Sequence, residues 1–194
     1  MRKVILSIYV TLDGVMEDPG GAEEFEHGGW SIQFFDQEAA KYAFDQLFAS
    51  DALLLGRVTY EEFAAAWPSM TDEAGFAERM NSLPKFVVST TLEEAEWNNS
   101  TLIKDNVAEE VSKLKQHPGQ DILIYGSGNL VHALMQHHLI DEFRLWVHPI
   151  VLGGGKRLFR DGGDTTVLRL VDSKTFRSGV VVLSYQPAGN EVER

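Results

Sequence analysis

Short apolar runs alternate along this chain with longer segments whose apolar residues recur at helical spacing. The runs are rich in aliphatic and β-branched residues, which predicts buried strands. The predicted strands are Lys3–Leu12, Ala52–Leu55, Lys85–Ser89, Thr101–Ile103, Asp121–Tyr125, Glu142–Pro149, Thr165–Phe176 and Val180–Gln186. The predicted helices are Phe34–Ser50, Tyr60–Trp67, Asn106–Gln116 and Asn129–His138.

Strands that alternate with helices predict an α/β fold with a mainly parallel central sheet and helices on both faces. The last two strands are joined by Arg177–Gly179, which predicts an antiparallel hairpin at the edge of the sheet. No linker or repeat divides the chain, so we expect one domain over residues 1–194. Asp13–Gly29 is rich in glycine and carboxylates and is expected to form a long loop.

Composition excludes several classes of function. The chain has no cysteine, which excludes disulfides, thiol catalysis and cysteine-based metal sites. Its net charge of −12 argues against a general nucleic-acid surface. His132, His137 and His138 lack the spacing of zinc helices, so no metal site is predicted. No apolar run is long enough to span a bilayer, and the N-terminus lacks a secretory signal, so a cytoplasmic location is expected.

Two glycine turns stand between a predicted strand and a predicted helix, at Gly56–Thr59 and at Gly126–Asn129. A helix N-terminus offers unpaired N–H groups and a partial positive charge, which favour anions, and glycine lets a phosphate approach closely. Two such turns suit a diphosphate, and therefore a nucleotide cofactor. The alternative for the second turn is close packing alone. It is not a dinucleotide fingerprint, since Val131 stands where the third glycine belongs.

Arg57 strengthens the interpretation as a nucleotide site, because a cation at a helix N-terminus is locally unfavourable unless an anion is bound. Its alternative role is an ion pair with Glu61 one turn later. Ser89 and Thr90 close another predicted strand, where hydroxyl groups face the ligand crevice of α/β sheets. An ordinary hydroxyl-capped turn is the alternative there.

The chain resembles the dihydrofolate-reductase-like superfamily, and within it the reductase domain of bacterial riboflavin biosynthesis. The resemblance runs nearly end to end and rests on the segments Thr11–Gly14, Leu55–Glu61, Val87–Thr90, Tyr125–Gly128 and Val147–Gly155. Members are often fused to a zinc deaminase domain, for which this chain has neither the length nor the cysteines. The chain is therefore expected to be a stand-alone member. Many members also carry a lysine in the first strand, near the position of Ser7.

The resemblance implies an NADPH-dependent reductase that transfers hydride to a small nitrogen heterocycle or its sugar-derived imine, and a homodimer. It also implies a cis peptide bond between Gly126 and Ser127. The implied cofactor-binding residues are Gly56, Arg57, Thr59, Ser89, Thr90, Tyr125, Gly126, Ser127, Gly128, Asn129 and Leu130. Arg57 and Thr59 would hold the 2′-phosphate and pyrophosphate, and the second glycine turn would hold the pyrophosphate.

The substrate side has fewer signals. Asp13 ends the first strand and is the candidate for orienting substrate or relaying a proton, with a plain turn aspartate as the alternative. Trp30 is a candidate to stack on a flat ring, or else a core residue. Gly154 and Lys156 belong to a glycine-rich segment that is either a cationic nest for a substrate phosphate or a mobile loop with solvated cations.

Three other functions remain open from the sequence. A folate reductase would need an acidic residue in the first helix, such as Asp36 or Glu38. A non-catalytic nucleotide-binding dimer would retain the fold without the chemistry. A phosphate-sugar enzyme would use the same turns without a nucleotide.

Overall fold

A computed structural model of the protein describes residues 1–189. Its strands are β1 (Val4–Thr11), β2 (Ser50–Gly56), β3 (Lys85–Val88), β4 (Ser100–Ile103), β5 (Asp121–Tyr125), β6 (Glu142–His148), β7 (Leu168–Thr175) and β8 (Val181–Pro187). Its helices are α1 (Gln37–Phe48), α2 (Arg57–Ala66), α3 (Phe76–Ser82), α4 (Val107–Gln116) and α5 (Gly128–Gln136). Within the described range no helix is long and apolar enough to cross a membrane.

The strands hydrogen-bond in the order β4-β3-β2-β5-β1-β6-β8-β7. β2 pairs in parallel with β3 and β5, and β3 pairs in parallel with β4. β8 pairs antiparallel with both β6 and β7. The predicted α/β class, with a mainly parallel sheet and an antiparallel edge pair, is confirmed.

The chain divides into two compact units, each built from two stretches of sequence. The first unit comprises Met1–Ile5 and Lys41–Ile140. Its core combines aliphatic residues of β2 and β5 with Tyr60 and Trp97, all of which are buried. The parallel strands β2 and β5 are buried over most of their length, as strands covered on both faces are, and β3 alternates between buried and half-buried residues.

The second unit comprises Leu6–Ala40 and the described residues from Asp141 onward. Its core includes an aromatic cluster in which Tyr9 contacts Trp146 and His148, with ring centroids 5.2 and 4.9 Å apart. β7 lies at the edge of the strand order and is exposed along nearly all of its length. The prediction of one domain over residues 1–194 stays a prediction, and its last five residues lie outside the described range.

One helix was not predicted from the sequence. α3 follows Gly75, whose φ of +83° interrupts any helical pattern before it. The Asp72 carboxylate caps this helix by accepting hydrogen bonds from the N–H groups of Phe76 (2.9 Å) and Ala77 (2.6 Å). The helix is therefore specified by a local cap rather than by apolar periodicity.

Candidate nucleotide site and substrate loop

Three parallel strands of the first unit end side by side. In the pairing register Gly56 of β2 lies opposite Val88 of β3, and Leu54 of β2 lies opposite Ile124 of β5. The segments that follow, which start at Arg57, Ser89 and Gly126, therefore leave the same edge of the sheet. Ligands of open α/β sheets bind outside this carboxyl edge. Both glycine turns and the Ser89 turn were expected there, and the structure brings them together.

Hydrogen bonds join the two glycine turns to each other. The Ser127 N–H donates to Thr59 Oγ1 (3.0 Å), and the Gly56 N–H donates to Ser127 Oγ (2.9 Å). The Ser127 hydroxyl then donates to the Tyr125 carbonyl oxygen (2.8 Å). Thr59 and Ser127 therefore fix the start of α2 relative to the start of α5.

Glycine is required for packing in the second turn. Gly126 has a φ of +51°, and a Cβ there would lie 2.8 Å from Thr59 Oγ1. A Cβ on Gly56 would lie 3.4 Å from Ser127 Cβ. Close packing between the turns therefore explains Gly126 without any ligand, whereas a Cβ on Gly56 would make an ordinary van der Waals contact. The case for an anion has to come from charge.

The predicted cis bond between Gly126 and Ser127 is wrong, since every peptide bond over residues 1–189 is trans. Instead, both residues adopt the left-handed conformation, with φ of +51° and +60°. Two successive left-handed residues turn the chain sharply enough to start α5 at Gly128 without a cis bond.

The helix N-termini differ in charge. Over residues 1–189, α1, α3 and α4 each carry at least one glutamate in the first turn, whereas α2 and α5 carry no acidic residue there. In a chain of net charge −12, the two helix ends held together by Thr59 and Ser127 thus keep their partial positive charge uncompensated. This pattern supports an anion-binding site.

Arg57 is the first residue of α2 and lies 2.8 Å (Nη1–Oε2) from Glu61. This ion pair is the alternative to anion binding that the sequence left open, and the structure shows it. Both side chains are nearly half exposed, so the pair is worth only a few tenths of a kcal/mol. A phosphate that contacts Arg57 would displace Glu61 at little cost.

The Ser89 turn is an ordinary hydroxyl-capped turn. The buried Ser89 Oγ accepts hydrogen bonds from the N–H groups of Thr91 (3.2 Å) and Leu92 (3.0 Å). Thr90, by contrast, is exposed. Ser89 therefore shapes the turn, and Thr90 is the residue that offers its hydroxyl to a ligand.

The remaining predicted cofactor residues line the start of α5. Leu130 has a buried side chain, Asn129 is exposed, and Tyr125 and Gly128 are half-buried. Because the side chain of Leu130 is enclosed, Leu130 can serve a ligand only through its backbone. The residues present fit a diphosphate group: two uncompensated helix N-termini, an exposed arginine and an exposed hydroxyl.

In the second unit, Asp13 organises the loop that follows β6. Its carboxylate accepts hydrogen bonds from the N–H groups of Gly153 (2.8 Å) and Leu152 (3.3 Å) and from the Thr11 hydroxyl (2.5 Å). The Arg157 Nε–H donates to the Asp13 carbonyl oxygen (3.0 Å). Asp13 thus ties the end of β1 to a segment about 140 residues later in the chain.

These hydrogen bonds, first that from Thr11 and then those from the Gly153 and Leu152 backbone, lower the pKa of Asp13 to about 2. A carboxyl with this pKa carries no proton at neutral pH, so the geometry gives no support to Asp13 as a proton relay. Orientation of the loop, and of a substrate beside it, remains the role that Asp13 can perform.

Lys156 is held by acidic residues. Its Nζ lies 2.7 Å from Glu17 Oε1 and 3.7 Å from Glu23 Oε2, and its N–H donates to Glu17 Oε2 (2.8 Å). Gly154 is exposed, and its Cβ position is open. We call Asp13–Glu17 and Leu152–Leu158 together the tethered loop, because Met16 and Lys156 also share a backbone hydrogen bond (2.8 Å).

Trp30 lies in the core of the second unit with only 4% of its surface exposed. Its indole N–H donates to the Glu17 carbonyl oxygen (2.8 Å), and its ring meets the His148 ring edge-on at 5.1 Å. A substrate would have to uncover the ring before stacking on it. The structure favours the core alternative for Trp30.

Two residues that hold the tethered loop, Glu17 within it and Thr11 at the end of β1, were not predicted from the sequence. Glu17 bonds both the side chain and the backbone of Lys156, and no signal in the sequence pairs residues so far apart. Thr11 bonds the Asp13 side chain and the Val15 N–H (2.9 Å) through its hydroxyl. The spacing Thr11-x-Asp13-Gly14 is typical of a side-chain-capped turn and would have identified Thr11.

The family of this chain is shown by comparison with known proteins. The RibD C-terminal domain model matches residues 2–182. The chain belongs to the RibD C-terminal domain family. A curated relative, the uncharacterized protein YyaP of Bacillus subtilis (strain 168), is 37% identical over 187 residues, which cover 95% of this chain and 94% of the relative.

Solved structures share the fold. A putative riboflavin biosynthesis protein from Shewanella sp. PV-4 matches with a TM-score of 0.74 and 22% identity, covering 96% of this chain and 99% of that one. The deaminase/5-amino-6-(5-phosphoribosylamino)uracil reductase of Thermotoga maritima matches with a TM-score of 0.62 and 16% identity. Our chain covers only 56% of that protein. Together with the family match, these likenesses support an enzyme of the reductase type.

Proposed function

We propose that this protein is an NADPH-dependent reductase of a small nitrogen heterocycle or its sugar-derived imine. Its chemistry would resemble that of 5-amino-6-(5-phosphoribosylamino)uracil reductase, the activity in the name of the Thermotoga protein. The observation that carries the proposal is the pair of helix N-termini at α2 and α5, which no acidic residue in their first turns compensates. The hydrogen bonds of Thr59 and Ser127 hold the two N-termini together.

In this proposal the N–H groups at the start of α5 bind the pyrophosphate, and Arg57 and Thr90 bind the 2′-phosphate. Thr59 holds the two turns in place by accepting the Ser127 N–H, and its side chain is buried, so we assign it no direct contact with phosphate. The nicotinamide supplies the hydride, and the protein supplies binding and orientation.

The tethered loop is the proposed substrate side. Asp13 orients this loop by accepting hydrogen bonds from the Leu152 and Gly153 N–H groups, and the Asp13 carboxylate is charged at neutral pH. Positioning would therefore account for most of the rate enhancement, with no acid–base step assigned to Asp13.

The test compares two matched ion pairs. Arg57→Ala removes the cation of the α2 pair, and Lys113→Ala removes the cation of the Lys113–Glu109 pair, which has the same spacing on α4. NADPH and NADH are titrated against each variant by fluorescence. Loss of a charge-assisted contact predicts roughly tenfold weaker NADPH binding for Arg57→Ala, little change for NADH, and no change for Lys113→Ala.

Other outcomes decide against the proposal. If Arg57→Ala leaves NADPH binding unchanged, the anion site is wrong. If NADPH binds but no heterocycle is reduced, the non-catalytic binding module is the better description. If NADPH does not bind at all, the turns serve a different ligand, as in a phosphate-sugar enzyme.

A folate reductase gains no support from the first helix. Asp36 accepts hydrogen bonds from the N–H groups of Ala39 (2.8 Å) and Ser178 (3.3 Å). Glu38 lies 3.7 Å from Lys174. Asp36 is therefore engaged by two backbone N–H groups, whereas the half-exposed pair of Glu38 is weak. Dihydrofolate turnover, assayed beside the pyrimidine substrate, tests this alternative.

We also propose that the protein is a homodimer that associates through β7. Within residues 1–189 this edge strand pairs only with β8, and its residues Leu170 and Val171 expose 49% and 40% of their surface, next to Val167 with 55%. An exposed apolar edge strand favours pairing with another strand. Leu170→Lys should then yield a monomer in size-exclusion chromatography with light scattering. A monomeric parent protein would contradict this proposal.

A further inference from the structure

The tethered loop contains four charged side chains, and three of them are engaged within the protein. The Asp13 carboxylate accepts two backbone N–H groups of the loop, and Glu17 forms an ion pair with Lys156 (2.7 Å). The fourth charged residue, Arg157, is exposed and has no carboxylate partner among residues 1–189. Arg157 is therefore the cation of the loop that is left for a ligand.

The backbone of Arg157 is held by a short antiparallel pairing with the segment that follows β1. Arg157 lies opposite Val15 in this pairing. The N–H of the next residue, Leu158, donates to the Gly14 carbonyl oxygen (3.0 Å), and the Leu158 side chain is buried. The backbone position of Arg157 is therefore fixed, although its side chain is exposed.

The side chain of Arg157 is oriented as well. Its Nε–H donates to the Asp13 carbonyl oxygen (3.0 Å), and its terminal Nη groups have no acceptor among residues 1–189. The N–H groups of a guanidinium form a planar fork that can bond two oxygens of one phosphate or carboxylate. Because the side chain is already oriented, binding an anion costs less conformational entropy than it would for a mobile arginine.

Arg157 differs in this respect from other arginines of the chain. Arg2, Arg57 and Arg144 each form an ion pair with a carboxylate. Arg177, between β7 and β8, is exposed, and its guanidinium has no hydrogen-bond partner within the described range. Arg157 combines an oriented guanidinium with the lack of a counter-charge, in a chain whose net charge is −12. This combination favours a role in binding an anion.

Apolar side chains accompany this guanidinium. Leu12, which precedes Asp13, and Val151 expose 63% and 65% of their surface. The Leu12 N–H donates to the Ile150 carbonyl oxygen (2.9 Å), so the two apolar residues flank the same backbone hydrogen bond. Exposed aliphatic side chains together with a few placed polar groups are typical of a ligand site. The surface is suited to a ligand with an apolar ring and one anionic group.

We propose that Arg157 binds the phosphate of the substrate and sets the preference for a phosphorylated substrate. The phosphate then meets Arg157 instead of the segment Gly154–Lys156, because Lys156 is engaged by Glu17. This inference rests on the proposed reductase function for the identity of the substrate. The contacts that carry it all lie within the second unit.

The first experiment needs no turnover. Ribose 5-phosphate and ribose are titrated into isotope-labelled protein, and the amide signals of Gly153 and Leu158 are followed by NMR. We expect a saturable shift with ribose 5-phosphate and none with ribose. Arg157→Gln should weaken the affinity roughly tenfold, because charge-assisted hydrogen bonds are lost. Arg157→Lys should give an intermediate affinity, since lysine keeps the charge but lacks the planar fork.

The matched control is Arg177→Gln, which removes an exposed arginine outside the tethered loop and should bind as the parent does. The absence of a saturable shift in the parent would overturn the proposal. Equal losses in Arg157→Gln and Arg177→Gln would also overturn it, because they would show only a general effect of net charge.

Two further measurements keep this test decisive. Glutarate is titrated in the same way, and tighter binding of glutarate than of ribose 5-phosphate would overturn a phosphate site. The Gly153 signal of unliganded Arg157→Gln should match that of the parent, which shows that the loop stays folded. Where it does not match, Arg157→Lys decides the question, and parent-like affinity in that variant would contradict binding by the fork.

A second experiment measures turnover with NADPH, using 5-amino-6-(5-phosphoribosylamino)uracil and its dephosphorylated form. Arg157→Gln should raise the KM for the phosphorylated form roughly tenfold. It should leave kcat/KM for the dephosphorylated form and the affinity for NADPH unchanged. An unchanged KM overturns the assignment of Arg157 but leaves the proposed reductase intact. Failure of NADPH binding overturns the reductase, and the ribose 5-phosphate titration still decides whether Arg157 binds a phosphate.

Discussion

The turns at α2 and α5 and the tethered loop both combine glycines with basic residues, yet their electrostatics are opposite. At the turns, the only nearby partner of Arg57 among residues 1–189 is the half-exposed Glu61, and neither helix has an acid in its first turn. In the tethered loop, Lys156 is bonded to Glu17 and lies near Glu23. Glycine and lysine in a loop therefore do not by themselves make an anion site.

The two regions differ in whether carboxylates of the protein already accept hydrogen bonds from the groups that would bind an anion. The N–H groups at Leu152, Gly153 and Lys156 have carboxylate acceptors supplied by Asp13 and Glu17. The first turns of α2 and α5, by contrast, contain no acidic residue. The two regions therefore differ in how many of their backbone N–H groups already have a carboxylate acceptor.

The largest effect should come from Gly126→Val. A side chain there must adopt a φ of +51° and would contact Thr59 Oγ1, so we expect the free energy of unfolding to fall by roughly 2–4 kcal/mol. Urea denaturation measures it. Gly20→Ala, where the Cβ position is open and φ is not positive, should stay within about 0.5 kcal/mol of the parent. Equal losses in both variants would show that the glycine turn is not the constrained element.

Thr59→Val tests whether the hydrogen bond between the two glycine turns contributes to NADPH binding. Valine keeps the volume but leaves the Ser127 N–H without its acceptor, which costs about 1–3 kcal/mol and loosens both N-termini. We expect weaker NADPH binding by isothermal titration calorimetry, whereas Thr59→Ser should restore it. Parent-like binding by Thr59→Val would mean that the two helix ends act independently.

The Asp13 carboxylate gives a pH test of the tethered loop. The pKa of Asp13 in the folded protein, about 2, lies below the ordinary value of 3.8. The charged carboxylate therefore stabilises the loop fully at any pH above that ordinary value. The contribution is lost as the pH falls through about 2. The chemical shift of the Gly153 amide should change with pH as Asp13 titrates. This pH dependence should disappear in Asp13→Asn and persist in the control Asp164→Asn. A midpoint near the ordinary value would contradict the hydrogen bonds that Asp13 receives.

The smallest expected effect comes from Glu61→Gln, which releases Arg57 from its surface pair. Exposed pairs of this spacing are worth about 0.3–0.5 kcal/mol, so NADPH affinity should rise about twofold. Glu109→Gln, in the matched pair of α4, should leave affinity unchanged. Weaker binding in Glu61→Gln would show that Glu61 supports the ligand instead of competing with it.

Local patterns predicted most of the fold because each strand and most helices have their own apolar signature. β5 was predicted at its observed bounds, Asp121–Tyr125, and α3 was missed because the Asp72 cap defines it. The glycine turns were also predicted, because the residues of each turn are contiguous in the sequence.

The tethered loop could not be predicted, because it depends on partners far apart in sequence. Asp13 and Gly153 are 140 positions apart, and Glu17 and Lys156 are 139 apart. A sequence pattern shows that Lys156 is basic and that Glu17 is acidic, but not that the two residues form an ion pair. The assignment of a phosphate nest to Gly154 and Lys156 was therefore open from sequence, and the observed ion pairs weigh against it.

The division of the chain has a consequence for biosynthesis. The first unit has received all its residues once the ribosome has completed Ile140. The second unit combines Leu6–Ala40 with the residues from Asp141 onward. Leu6–Ala40 is therefore synthesised before the residues it packs against, with Lys41–Ile140 translated in between. Ribosome-bound nascent chains that end shortly after Ile140 should therefore resist protease within the first unit while remaining cleavable in Leu6–Ala40.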